Sequence, residues 1–394
     1  MPLTPTTVSD RLLRGSDVTL GFSLQTAYGA VNATPVFQTA RRTSGKTKKT
    51  VSYSTDETVT GDFQGLEQIE ESTELMGTLE SSTSLQSVDL LNYAIFAAET
   101  IHTNTAATFA ALVDGLTVSA TSYAALEVGD GFWMSGFANP LLNVFYVVAS
   151  KAAANKIVTT IAPVATETAG ATVTLKFNRY KNADNAYYLT LQTKTKDAVA
   201  AGGVDHHTIY DSLAGSASFE IPATGRSTTT LEYSAEREVS GTAQVSGQTY
   251  AAVPTDKYVS SSKNIKAFYI DGLSATCAMK SLSISINPNL SADDAAGCSK
   301  RYSRGVFEVT GSFEIRVKIS ASTTFRDYHN NGTRISIGVL FDHSDGNETY
   351  IVIPQAVVTE YDAPDANGVS IGSVSFAAEG HSASASTIRT YTKR

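Results

Sequence analysis

Four short segments of the sequence carry residue types that could do chemistry, and the first resembles part of a phosphate-binding loop. Ser44-Gly45-Lys46-Thr47 contains the Gly-Lys-Thr end of that motif. The full motif also requires a glycine five residues before the Gly of the Gly-Lys pair. Position 40 is Ala, and no apolar strand leads into the segment. We therefore interpret it as a basic hairpin tip and not as a nucleotide site.

Two other segments contain metal-ligand residue types. His206 and His207 are adjacent, and adjacent residues of a strand point to opposite faces, so they would not chelate one ion together. We expect them in a solvated loop. The second segment resembles a calcium-binding loop and comprises Asp342, Asp345, Asn347 and Glu348. Its spacing differs from that of EF-hand ligands, so we interpret it as a hairpin turn, and a bound calcium ion is the alternative. We expect no metal and no cofactor.

The fourth segment is aromatic, with Phe132, Trp133 and Phe137 close together. Trp133 and Phe137 could form a platform for a sugar ring, but aromatic side chains in short strands are more often part of a core. Nucleophile elbows, HExxH and CxxC are absent from the sequence. No residue is a candidate catalyst, so the sequence favours a protein that is not an enzyme.

The composition argues against a nucleic-acid binder, a disulfide-linked or zinc-binding protein, and a membrane protein. The net charge is −8 with only 17% charged residues, which argues against a dedicated nucleic-acid binder. Cys277 and Cys298 form no disulfide framework and no zinc set, and we interpret them as reduced core residues. We expect no secretory signal, because the N-terminus has no basic start followed by an apolar run, and no membrane span, because no stretch approaches 18 apolar residues.

Alternating polar and apolar residues indicate an all-β protein. Leu282 to Ile286 and Val306 to Val317 alternate most clearly, and Asp345-Gly346 suits a tight turn between strands at 335–340 and 350–353. One amphipathic helix is predicted at Val88–Glu99, with Ser87 as its N-cap. A single helix in such a chain is expected to cover an open sheet.

Residues 105–178 look like a self-contained insertion. Several short strands with Gly, Asn and Pro between them predict a small β-barrel with its own core. Loops tolerate inserted domains best. We therefore divide the chain into a discontinuous β-sandwich at 1–104 and 179–394 and an inserted barrel at 105–178.

Two features point to assembly. A basic run lies in an otherwise acidic chain and comprises Arg41, Arg42, Lys46, Lys48 and Lys49. A surface patch of one charge sign can attract an oppositely charged partner and fix its position. The long strands near 305–317 and 335–353 contain few edge-blocking prolines and lysines, so we expect another chain to complete them.

An ordered set of motifs resembles the tail tube protein family of siphophages, which are bacteriophages with long non-contractile tails. The set comprises Gln38–Thr43, Ser52–Glu57, Gly61–Gln64, Glu74–Glu80, the Asp89-Leu90-Leu91 helix, Ile209-Tyr210, Gly215–Pro222, Asp271–Leu273, Ser281–Leu290, Gly311–Glu314 and Tyr350–Pro354. Each motif alone is degenerate, and together they cover most of the chain.

The resemblance implies a β-sandwich with one packed helix, from which six copies close into a ring and rings stack into a tube. It implies a long loop, here at 41–62, that reaches the next ring, so Asp56, Glu57 and Asp62 join the basic run as candidate contacts. It also implies a virion protein made in the host cytoplasm, with DNA passing through an acidic and neutral lumen. The implied partners are further copies of the chain, the tape measure protein, the tail terminator and distal tail proteins.

Two alternatives stay open at the level of sequence. One is a glycan-binding or adhesive β-sandwich protein, in which the inserted barrel would bind sugar through Trp133. The other is a hydrolase with an acid pair brought together from distant positions.

Overall fold

The computed structural model describes residues 18–25, 27–55, 68–96, 98–118, 123, 126–167, 172–182, 187–196, 204–241, 244–261, 263–271, 273–275, 278–293, 300–316, 322–343, 346–362, 371–382 and 386–393. These residues are mostly strands, which confirms the all-β prediction. The strands are β1 (Val18–Gln25), β2 (Val36–Thr39), β3 (Ser44–Thr55), β4 (Gln68–Ser82), β5 (Ala98–Ala111), β6 (Gly115–Val118), β7 (Gly131–Ser135), β8 (Phe145–Ala153), β9 (Lys156–Thr159), β10 (Thr172–Lys181), β11 (Tyr188–Lys196), β12 (Val204–Ile221), β13 (Thr228–Ala235), β14 (Arg237–Gly241), β15 (Thr249–Tyr250), β16 (Ile265–Ile270), β17 (Leu273–Ser274), β18 (Met279–Asn287), β19 (Leu290–Asp293), β20 (Arg301–Arg304), β21 (Glu308–Arg316), β22 (Arg334–Asp342), β23 (Glu348–Asp362), β24 (Ile371–Ala378) and β25 (Arg389–Lys393). The helices are α1 (Leu85–Ala94) and α2 (Ser322–Asn331).

Two sheets share the long strand β12. The first half of β12 pairs with β11 and β14 in a sheet of order β15–β2–β1–β11–β12–β14. The second half pairs with β13 and β18 in a larger sheet of order β3–β4–β13–β12–β18–β21–β24–β23–β22–β16. Apolar side chains of both sheets form one core, as in a β-sandwich.

The change of sheet occurs at Asp211, which has a φ of 56°. Short polar side chains tolerate this left-handed conformation when they bond locally. The carboxylate of Asp211 accepts a hydrogen bond from the Gly29 amide at 2.8 Å and from Arg237 Nη2 at 3.0 Å. These contacts hold the strand where it passes from one sheet to the other.

The larger sheet has one apolar and one hydroxyl-rich face. Leu231, Phe219, Ile284 and Phe313 point into the core, and the alternate residues of the same strands face outward with partial or full exposure. We call the outward set of β12, β13, β18, β21 and β24 in this sheet the hydroxyl face; it comprises Ser216, Ser218, Glu220, Thr228, Thr230, Glu232, Ser234, Ser281, Ser283, Ser285, Asn287, Glu308, Thr310, Ser312, Glu314, Arg316, Ile371, Ser373, Ser375 and Ala377.

The strands near 305–317 and 335–353 are interior strands, which corrects the expectation that they are edges. β21 lies between β18 and β24, and β22 lies between β16 and β23. The chain itself therefore completes their hydrogen bonding. The predicted hairpin of strands at 335–340 and 350–353 is confirmed by the β22–β23 pairing, whereas Asp345 of the predicted turn lies outside the described residues.

Helix α1 covers the core as predicted but begins earlier in the chain. Its N-cap is Ser84, which forms a capping box with Ser87, so Ser87 lies inside the helix and is not the cap. Leu91, Ala94 and Ile95 are buried. Ala98, which lies within the range predicted as helix, instead begins β5.

Helix α2 was not predicted, since its sequence is polar overall and contains few apolar residues to mark a buried face. It packs through Phe325, whose ring centroid lies 5.9 Å from that of Phe313 and 6.2 Å from that of Tyr361. The structure therefore has two helices among its described residues.

Six strands of the inserted segment form a closed ring of antiparallel pairs, in the order β5–β6–β9–β8–β7–β10 and back to β5. A small closed barrel of this kind has no free strand edge. Its core is not separate, in contrast to the prediction, because Phe132 and Phe177 share one buried cluster with Tyr269, Tyr350 and Tyr391 of the sandwich. The boundaries at 105 and 178 remain a prediction.

A buried histidine next to the β22–β23 turn makes stability depend on pH. His343 is 1% exposed, and its Nε2 lies 2.8 Å from Thr349 Oγ1. Burial lowers the pKa of His343 from 6.5 to about 4, against the opposing effect of Asp256, Asp342 and Glu348. Below pH 6.5 the unfolded chain therefore binds a proton that the folded chain excludes.

We expect the free energy of unfolding to fall between pH 6.5 and 4, by up to about 3 kcal/mol from this residue. Urea unfolding at pH 7.5, 5.5 and 4.5 should show a shallower pH dependence for His343→Gln than for the natural chain. Equal pH dependences would show that His343 does not govern this loss.

Candidate assembly surface

The hairpin of β3 and β4 forms one end of the larger sheet. β3 pairs with β4 along its length, from Ser44 opposite Glu80 to Thr55 opposite Gln68. In the described part of the chain, β3 has no strand on its other side. Its outer N–H and C=O groups can therefore pair with a strand of another molecule.

The structure divides the predicted basic run into engaged and exposed residues. Arg41 donates to the backbone oxygen of Asp256, and its guanidinium lies 4.0 Å from the centre of the Tyr258 ring. Arg42 donates to the Gly45 carbonyl at 3.3 Å. These contacts turn both arginines toward their own chain.

Lys49 also contacts its own chain, whereas Lys46 and Lys48 point outward. Lys49 Nζ lies 2.9 Å from Glu238 Oε1, and His207 Nε2 lies 2.9 Å from the other Glu238 oxygen. Lys49 and then His207 lower the pKa of Glu238. Lys46 and Lys48 are exposed on β3. These two lysines are the basic residues of the run that are best placed to meet a partner.

The base of the hairpin rests on Tyr233 of β13. Tyr233 faces Gly77 across the β4–β13 ladder, and its hydroxyl lies 2.8 Å from Thr47 Oγ1. A Cβ atom on Gly77 would lie 2.2 Å from the Tyr233 ring, much closer than van der Waals contact. Glycine at this position leaves the space that the Tyr233 ring occupies next to β4.

Replacing Gly77 should loosen the hairpin. We expect Gly77→Ala to cost roughly 1–3 kcal/mol, as overpacking does, and to have little cost in a Tyr233→Ala background, where the ring is absent. Chemical denaturation of the four variants measures this coupling. Gly241→Ala is the control, because a Cβ atom there meets nothing within 4 Å. Equal costs of Gly77→Ala in both backgrounds would contradict the proposed contact.

The segment that contains the basic run is a strand, in contrast to the predicted hairpin tip and loop. Ser44 to Thr47 lie in β3 and not at a hairpin tip, which corrects that interpretation. The segment predicted as a loop at 41–62 is a strand from Ser44 to Thr55. Asp56, Glu57 and Asp62 lie outside the described residues.

His206 and His207 lie in β12 and not in a solvated loop. His206 is buried, and burial lowers its pKa. His207 points the other way, toward Glu238. The two rings thus occupy opposite faces, as their adjacency predicts.

The aromatic residues considered for sugar binding are part of the core. Trp133 and Phe137 are 3% and 4% exposed, whereas a sugar platform needs accessible ring faces. Trp133 Nε1 donates to Glu348, a buried carboxylate that also contacts Lys266. Within the described residues, no three His, Cys, Asp or Glu side chains come together as metal ligands. Asp345 is outside that part of the chain.

Sequence reasoning missed the residues that hold the hairpin in place. In the sequence, Tyr233 is only one residue of an alternating strand, and Glu238 lies a few residues later in a short strand. Neither residue has a sequence pattern that marks it as a contact of the hairpin. Their contacts with Thr47 and Lys49 join positions almost two hundred residues apart in the chain. Identifying them from the sequence would have required knowing which distant strands pair and in which register.

Neither described helix has the length and hydrophobicity needed to cross a membrane. A sequence search of curated proteins finds no match to the chain. A family model described as phage tail tube protein matches residues 15–379 and so spans both sheets, both helices and the inserted barrel. The β-rich sandwich, its exposed edge strand and this match together show that the chain belongs to the phage tail tube protein family.

Proposed function

We propose that this tail tube protein forms hexameric rings that stack into the hollow tube of a long, non-contractile tail, and that the tube conducts viral DNA into the host. The observation that carries the proposal is the outer edge of β3, which offers twelve residues of backbone to a neighbouring chain. β-Strand addition at such an edge joins subunits without a large apolar patch.

The exposed lysines of β3 supply the second element of the proposal. Lys46 and Lys48 are positive on a chain with a net charge of −8, so acidic surfaces on another copy are complementary to them. We assign them to contacts between stacked rings. Asp56, Glu57 and Asp62 remain proposed contacts of the same hairpin.

Forming a tube requires only contacts between subunits and no catalysed reaction. We therefore propose that the protein is not an enzyme. Its proposed partners are further copies of itself, the tape measure protein inside the tube, and the tail terminator and distal tail proteins at the tube ends. Its proposed place is the virion, after synthesis in the host cytoplasm. The glycan-binding alternative loses its motivating observation, because Trp133 is buried.

Light scattering across a concentration series tests open-ended growth. A tube subunit should show an average mass that keeps increasing with concentration above a threshold, since every added ring exposes another identical surface. A mass that reaches a plateau at a dimer or trimer would overturn the proposal.

A further inference from the structure

One end of the inserted barrel is built from three connections between its strands. β5 ends and β6 begins there, β7 ends and β8 begins there, and β9 ends and β10 begins there, because the antiparallel pairing places these strand ends side by side. The connections comprise residues 112–114, 136–144 and 160–171. We call the large aliphatic side chains of this end the barrel tip; they are Val113, Leu141, Val144, Ile161 and Val164.

The barrel tip concentrates exposed apolar surface. Its five side chains are 76%, 65%, 44%, 48% and 68% exposed, in chain order. They make up five of the fourteen large hydrophobic side chains that are exposed in the described part of the chain. Single exposed apolar residues are normal on a protein surface, whereas a group of them on one surface marks a site of interaction. The tip is therefore a candidate contact surface.

Hydrogen bonds hold the three connections in one arrangement. The backbone N–H and C=O of Glu167 both pair with Ala111 at 3.1 Å. The Glu167 carboxylate accepts hydrogen bonds from the amides of Ala138 and Asn139 at 3.0 Å each. Glu167 thus joins its own connection to the other two, so the five aliphatic side chains are presented together.

The backbone around Leu141 can leave water at low cost. The Leu141 amide donates to Asn139 Oδ1 at 3.1 Å, and the Leu142 amide donates to the Asn139 carbonyl at 3.0 Å. The Asn143 amide donates to the carbonyl of Pro140 at 3.1 Å, and proline has no N–H of its own. A backbone N–H that enters apolar surroundings costs free energy unless it has such a partner. This connection keeps its partners when its outer side is buried.

The charges of the three connections do not attract an anionic surface. None of the connections contains Lys, Arg or His. Their two acidic groups are already engaged, Asp114 with Lys156 Nζ at 2.9 Å and Glu167 with two backbone amides. An attachment at the tip must therefore come from the burial of apolar surface and not from charge.

A lipid surface fits the barrel tip better than a folded protein does. Hot spots of protein interfaces are rich in Trp, Tyr and Arg and poor in Leu and Val, whereas the tip is aliphatic throughout. A stable protein interface also covers roughly 800 Å² on each partner, and five partly exposed aliphatic side chains supply less than that. A bilayer accepts projecting apolar side chains without a complementary pocket.

We propose that the barrel tip inserts its five aliphatic side chains into the surface of a bilayer of zwitterionic lipids and attaches the protein to the membrane without crossing it. The inference goes beyond tube formation, because a single subunit already carries the complete tip. In an assembly, each copy adds a tip, so weak single contacts reinforce one another.

Flotation with phosphatidylcholine vesicles tests the attachment, at protein concentrations below the threshold for tube growth so that the result does not depend on assembly. We expect Leu141→Ser/Val164→Ser to weaken the partition of the chain into vesicles at least about tenfold, since two exposed aliphatic groups are lost. Val253→Ser/Val306→Ser should bind like the natural chain. It is the matched control, because these valines are 59% and 81% exposed in connections of the sandwich.

Adding phosphatidylserine to the vesicles should not strengthen binding, because the tip carries no basic residue. Absence of binding by the natural chain, equal binding by the two double variants, or binding that requires phosphatidylserine would overturn the proposal.

Fluorescence locates the inserted side chains and covers the case in which the serine variant fails to fold. Leu141→Trp and Val306→Trp are mixed with phosphatidylcholine that is brominated on its acyl chains, which quenches indole rings that enter the acyl region. The natural Trp133 is 3% exposed and contributes the same background to both variants. We expect quenching of the new indole in Leu141→Trp alone. Equal quenching in both variants, or none in Leu141→Trp, would show that the tip does not insert.

Discussion

Reversing the two exposed lysines of β3 should abolish tube growth. In the Lys46→Glu/Lys48→Glu variant, the edge that meets a neighbouring ring becomes negative and faces acidic surfaces of a chain that already carries −8. Like charges brought together at an interface cost several kcal/mol. We expect the threshold concentration for growth, measured by light scattering, to rise roughly a hundredfold or more. The folded subunit should be unaffected, since surface substitutions of this kind change stability by less than about 0.5 kcal/mol.

A control with the same change of charge separates local from general repulsion. Lys257 and Lys263 are also exposed but lie in the connection between β15 and β16. Lys257→Glu/Lys263→Glu should assemble at close to the natural threshold, and both double variants should keep the natural melting temperature. Normal growth of Lys46→Glu/Lys48→Glu would show that β3 takes no part in stacking.

Removing the carboxylate of Asp130 should destabilise the subunit by about 3–5 kcal/mol, because it leaves the buried Arg179 and Arg389 with only the partly exposed Glu127 as a counter-charge. Asp130 is fully buried where the inserted barrel meets the sandwich. Its oxygens accept hydrogen bonds from Arg179 Nη1 at 2.7 Å, from the Glu127 amide at 2.8 Å, and from Arg389 and the Tyr391 hydroxyl. Burial raises the pKa of Tyr391 well above its ordinary value, and the adjacent Asp130 raises it further, so this hydroxyl stays a donor.

The comparison variant for Asp130→Ala is Asp114→Ala on the barrel surface. Asp114 is ion-paired with Lys156 at 2.9 Å but its side chain is 56% exposed, and exposed ion pairs contribute little to stability. Denaturant unfolding should therefore separate the two variants by several kcal/mol. A loss below about 1 kcal/mol for Asp130→Ala would show that the buried charges rearrange or gain water.

The local pattern of the sequence predicted the strands well because alternation reflects burial directly. Leu282 to Ile286 alternate between the core and the hydroxyl face, and the prediction there matches β18. The Asp-Gly pair in the sequence predicts the hairpin that β22 and β23 form. Helix α1 was found from its apolar face, although its start was misplaced because Ser84 and Ser87 are both plausible caps.

Features that depend on the pairing of strands far apart in the chain could not be predicted from the sequence. Whether β21 is an edge depends on β24, which lies more than fifty residues later. The engagement of Lys49 depends on Glu238, and the burial of Trp133 is completed by Glu348 from the opposite end of the chain. Helix α2 is not evident from the sequence because the helix is polar overall, and the contacts of Phe325 with Phe313 and Tyr361 join it to distant strands.

Negative-stain electron microscopy of the purified protein, concentrated at moderate salt, tests the central claim most directly. The account predicts hollow tubes or rings with sixfold end views, formed by the chain alone. Compact dimers or trimers at every concentration, or filaments without a lumen, would contradict it.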